Sequence, residues 1–96
     1  MVKGIKPDLM QKSEEKKNRL AVVGIAVNNR EETACRVNEI LSSFGNIIVG
    51  RMGIPYKDRG ISIISIIIDG TNDEVGSITG KLGSIKGIKV KVAILV

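Results

Sequence analysis

A chain of 96 residues is long enough for one domain and too short for two. Its hydrophobic fraction of 43% and mean hydropathy of +0.14 exclude a disordered polar chain, and no apolar run reaches the ~18 residues that a membrane helix needs. The net charge of +5 divides into +2 over residues 1–18 and +3 over the remainder, so the domain proper is only mildly basic and nucleic acid is not its expected partner.

Residues 1–18 form a polar, Lys-rich arm. Residues 8–17 have the pattern of a short helix, but with too few apolar positions to dock, and the arm is expected to be mobile. The domain is expected over residues 19–96. Arg19–Val27 reads as a strand that Asn28 and Asn29 break. Asn29 and Glu32 stand at capping-box spacing, and a helix follows over Arg30–Phe44 with Ala34, Val37, Ile40, Leu41 and Phe44 on one face. Gly45 stops it. Asn46–Ile54 is a second strand, weakened by Gly50 and Gly53. Pro55–Arg59 has the composition of a turn. Gly60–Ile68 is a third strand, rich in β-branched residues. Thr71 and Glu74 form a T-x-x-E capping box that opens a second helix over Asn72–Ser84. Lys86 and Gly87 turn the chain into a fourth strand, Ile88–Val96.

The order β-α-β-β-α-β, with right-handed crossovers, gives an α+β fold: a ferredoxin-like, two-layer sandwich with an antiparallel sheet of order 4-1-3-2. Both helices cover one face of that sheet. The last strand alternates, with Lys89 and Lys91 opposite Ile88, Val90, Val92 and Ile94, as an edge strand with one wet face should. The first and third strands do not alternate and are apolar on both faces. An uncovered apolar face normally marks an interface, so a homo-oligomer, dimer or tetramer, is expected. The candidates for its contacts are Ile61, Ile63, Val23 and Ile25 on the sheet. Gly76 and Gly80 join them on the second helix, where glycines lie away from the stripe Val75, Ile78, Leu82, Ile85 and suggest a closely approaching neighbour.

Catalytic and metal chemistry find little support. The chain has no His and one Cys, Cys35, so there is no thiolate or imidazole set for a metal and no base to activate the thiol. The lone cysteine fits a reducing compartment, and a cytoplasmic protein is expected. No phosphate-loop or dinucleotide fingerprint is present, and the central strands lack the aromatics of an RNA-recognition sheet. The acidic pairs at the two helix starts are accounted for by the helix dipoles. No catalytic residue and no cofactor is expected. The polar groups that remain are the strand–helix junction Asn28-Asn29-Arg30-Glu31, where free backbone N–H groups could hold an anion, and Arg51 in the glycine-flanked second strand.

Three stretches, VNEIL at 37–41, RMGIP at 51–55 and ITGKLGSIKGIKVK at 78–91, resemble the small family of proposed iron-only hydrogenase system regulators. The resemblance covers about residues 19–96. It implies an ACT-like plait, similar to the C-terminal domain of the nickel-responsive regulator but without that domain's His and Cys nickel ligands. ACT domains bind small effectors at subunit interfaces through the loop between the first strand and first helix, which by position is Asn28–Glu31 here, although the usual Asp and Gly of that loop are absent. The expectation is therefore a non-catalytic, oligomeric regulatory module that binds a small effector through Asn28, Asn29, Arg30, Glu31 and Arg51. The alternatives are a protein-assembly or adaptor domain with a protein partner, and a DNA-associated transcriptional regulator using the lysines of the arm. No membrane partner is expected.

Overall fold

The computed structural model describes residues 18–96; the expected helix over residues 8–17 and the lysines of the arm lie outside the described residues. The elements are β1 (Arg19–Asn28), α1 (Glu31–Ser43), β2 (Ile48–Tyr56), β3 (Ile61–Gly70), α2 (Asn72–Gly83) and β4 (Ile88–Ile94), with one 3-10 turn at Lys57–Arg59 between β2 and β3. The four strands form one antiparallel sheet in the order β2-β3-β1-β4, the expected plait read from its other edge.

The period-2 pattern explains which face is covered. Ala21, Val23, Ile25 and Val27 of β1 and Ile66 and Ile68 of β3 are buried, and all but Ala21 form one core cluster with Val37 and Leu41 of α1 and Val75, Ile78 and Leu82 of α2. Val23 and Ile25 are 0% and 1% exposed. They lie beneath the helices and cannot join an interface on the open face, contrary to the expectation for these two residues. The β1 residues on the open face are instead Leu20, Val22, Gly24 and Ala26. Their cross-strand partners on β3 are Asp69, Ile67, Ser65 and Ile63, and residues directly opposite share a face. Met52, Ile54 and Tyr56 of β2 extend this surface, and all three are about half exposed or more.

Several local details depart from the sequence reading. Thr33, not Ala34, takes the first buried position of α1. Pro55 and Tyr56 continue β2 rather than opening a turn, which an edge strand tolerates. The reversal falls on the 3-10 turn and on Gly60, at φ 67°. Strand β4 ends at Ile94. The capping box of α2 forms as expected: the Thr71 N–H donates to Glu74 Oε1 at 2.8 Å and the Glu74 N–H donates to Thr71 Oγ1 at 3.1 Å. Around Gly76, Gly80 and Gly83 a Cβ would meet nothing within 4 Å, so among the described residues no element of the same subunit approaches them.

Candidate functional site

The site begins where β1 runs out. Asn28 ends the strand, and its side chain turns back on the chain: the Arg30 N–H donates to Asn28 Oδ1 at 3.0 Å. Its own N–H donates to the Gly87 carbonyl at 3.3 Å. Asn28 thus ties three segments together: the end of β1, the entry to α1 and the turn before β4. Gly87 is held at φ 93°, and a Cβ there would collide with the Asn28 side-chain amide. Only glycine suits that position.

Helix α1 starts one residue later than its sequence indicates. The N-cap is Arg30 in extended conformation, with no side-chain hydrogen bond, so the expected Asn29–Glu32 capping box does not form. Asn28 Oδ1 instead accepts the Arg30 N–H, a local turn that accompanies the extended conformation of Arg30 and puts the first helical residue at Glu31. The first bond of the helical pattern runs from the Ala34 N–H to the Arg30 carbonyl. The N–H groups of Glu31, Glu32 and Thr33 precede it and have no intrahelical acceptor.

The other wall of the site is β2. The pairing of β2 with β3 slips between Ile48 and Gly50, a bulge that leaves Val49 over. Ile48 and Arg51 are three residues apart and in a regular strand would point to opposite faces. With the bulge, they stand opposite Ile68 and Ile66, both of the helix-covered face. The bulge therefore aims Arg51 at the helix side of the sheet. There its Nη2 donates to Asn38 Oδ1 of α1 at 2.9 Å, the one bond between two side chains among the described residues. Beyond Arg51 the small residues Gly53, opposite Ile64, and Pro55, opposite Ser62, keep the floor low.

These features enclose a cleft of about 520 Å³ between the start of α1 and β2. All five residues singled out in the sequence, Asn28, Asn29, Arg30, Glu31 and Arg51, line it, together with Ala34, Asn38, Gly53 and Ser62. Its ionic side chains are two arginines and one glutamate, a net positive lining suited to an anion. Ala34, which its spacing puts on the apolar face of the helix, lines the cleft instead of the core, and Asn38 joins it through its bond to Arg51. Cys35 itself is exposed and free. Among the described residues no group of three or more His, Cys, Asp or Glu could hold a metal, and no helix is long and apolar enough to cross a membrane.

The family model described as "Iron-only hydrogenase system regulator, putative" matches residues 19–92. The chain belongs to the TM1266-like family. The solved structure of the uncharacterised protein TM1266 from Thermotoga maritima is 35% identical, with a TM-score of 0.81 over 82% of this chain and 99% of that one. The ACT domain of a GTP pyrophosphokinase from Chlorobium tepidum superposes with a TM-score of 0.66 at 22% identity, covering 82% of this chain and 100% of that domain. At that identity the likeness concerns the fold, which is ACT-like. A formyltetrahydrofolate deformylase from Pseudomonas putida KT2440 matches at a TM-score of 0.56 and 9% identity, over 77% of this chain and 28% of the enzyme. No curated protein sequence matches the chain. In this TM1266-like chain the cleft lies beside the strand–helix loop that the family resemblance indicated, and the bulge at Val49 supplies it with Arg51.

Proposed function

We propose that the chain is a non-catalytic regulatory module that binds a small anionic effector in the cleft between α1 and β2. The observation that carries this reading is the convergence of three kinds of group on one concavity. Backbone N–H groups at an uncapped helix start favour negative charge. Arg51 is a planar multi-donor cation, already oriented by Asn38. The floor of Gly53, Ser62 and Ile64 leaves room for a partly apolar body. Membership of a family described as a regulator, and an ACT-like fold, support a regulatory rather than catalytic use. No pair of ionisable groups in the cleft is placed as acid and base. The effector would bias how subunits pack against one another, with the open sheet face as the packing surface.

A thermal-shift screen of amino acids, organic acids and nucleotides tests this, followed by two variants. A ligand at 100 times its Kd adds about 2.7 kcal/mol, on the order of 10 °C for a domain of this size. Arg51→Ala should abolish the shift while leaving the unliganded melting temperature within a few degrees, because Arg51 is exposed. Gly53→Val should also abolish it by filling the floor. Its first added carbon meets Ile64 at an ordinary 3.7 Å, and a β-branched residue suits an edge strand. A ligand response that survives both substitutions would remove the cleft as the site.

A further inference from the structure

A second concavity, of about 340 Å³, lies on the other side of the same helix start. It lies between the first turns of α1 and the α2–β4 turn, and it shares Asn28 and Arg30 with the first cleft. Arg30, Arg36 and Lys86 line it, with Glu32 as its one acid. None of the three cations donates a hydrogen bond from its side chain to another described residue. Three like charges around one hollow repel each other, and the positive end of α1 adds to that field. Thr33 also lines the hollow. The residue is 8% exposed, and its hydroxyl makes no hydrogen bond to another described residue and is not among the side-chain atoms sealed from solvent, so it is free to bond to a guest in the hollow. The contrast with α2 is direct: there the Thr71 hydroxyl accepts the Glu74 N–H inside the first turn, whereas at α1 the one side-chain bond, from the Arg30 N–H to Asn28 Oδ1, lies before the first turn.

We propose that this second hollow is a phosphate subsite and that the effector is a small phosphorylated molecule whose body lies in the first cleft. The ligand class rests on the effector reading above; the subsite does not. Donors converge on the hollow from three directions: the helix N–H groups with the Thr33 hydroxyl, the Arg36 guanidinium, and the Lys86 ammonium. A tetrahedral dianion offers acceptor oxygens to all three, where a planar carboxylate would leave some unmet. Asn28 and Arg30, common to both hollows, form the bridge between body and phosphate.

Inorganic phosphate is the probe, titrated into ¹⁵N-labelled protein at constant ionic strength with chloride as the matched control. The expected result is saturable shifts of the Glu31, Glu32, Thr33 and Lys86 amides with phosphate and none with chloride. Arg36→Gln combined with Lys86→Gln changes two exposed side chains and should weaken phosphate at least tenfold. Thr33→Val, which keeps the buried shape and removes only the hydroxyl, should weaken it by a smaller factor. Non-saturating shifts, an equal response to chloride, or unchanged affinity in both variants would overturn the subsite. Arg51→Ala and Gly53→Val should leave the Thr33 and Lys86 amide shifts as in the unaltered protein, because those two residues line only the second hollow, so loss of the effector reading and loss of the phosphate subsite are read from different variants.

Discussion

Asn28 shows how much of the site depends on a single side chain. It accepts from the Arg30 backbone, donates its own N–H to Gly87, and borders both hollows. Its position in turn depends on residue 87 having no Cβ. Gly87 and Gly60 both have positive φ, but they differ in surroundings: a Cβ at Gly60 meets nothing within 4 Å, and one at Gly87 strikes Asn28. Both Gly→Ala changes incur the left-handed backbone penalty of roughly 1–2 kcal/mol. Gly87→Ala should cost measurably more than Gly60→Ala in urea denaturation, with an unchanged m-value, because Asn28 must also move. It should also weaken ligand response, which Gly60→Ala should leave intact. Equal costs for the two would mean that Asn28 is not clamped as described.

The strands and helices themselves were largely legible in the sequence, because each carries a strong local signal. Examples are the alternation of Ile88–Ile94, the T-x-x-E start of α2 and the one-sided stripes of both helices. What escaped depends on pairing between distant segments. The bulge at Val49 exists only in the register of β2 against β3, and no residue type near it announces it, so the direction of Arg51 could not be read. The start of α1 falls past the capping-box position because Asn28, whose backbone is tied to Gly87, holds the Arg30 N–H and Arg30 stays extended. Both faces of β1 carry aliphatic residues, so it takes the helices to decide that Val23 and Ile25 are core and Leu20 and Val22 are not. The glycines of α2 remain open to experiment. In a lone subunit, Gly76→Ala with Gly80→Ala should stabilise the helix by about 1 kcal/mol per site, since each Cβ enters open space. If a second subunit closes on that helix face, the same pair should instead lower the association constant, measured by sedimentation, while the far-ultraviolet dichroism stays unchanged.

The domain has two layers, and one side of its sheet has no cover among the described residues. Ile63 and Ile67 are 41% and 44% exposed at the middle of that side, where isolated soluble domains seldom leave so continuous an apolar surface. Replacing both by Lys should leave the melting temperature nearly unchanged and shift the mass in light scattering to that of one chain; a mass unaltered from the parent would place subunit contacts elsewhere. The sheet order has one more consequence, for the timing of synthesis. Strand β1 is central, yet its neighbour on one side is β4, the last strand in the sequence. Translation proceeds at ~5–20 residues per second, so β1 emerges on the order of seconds before β4 exists to pair with it. The β2–β3 hairpin can form early, and β1 can join β3, but the edge that β4 will fill stays bare throughout. Folding of this domain therefore completes only after residues 88–94 have left the ribosome. Until then the nascent chain displays an unpaired, valine-rich edge, a template for pairing with another chain.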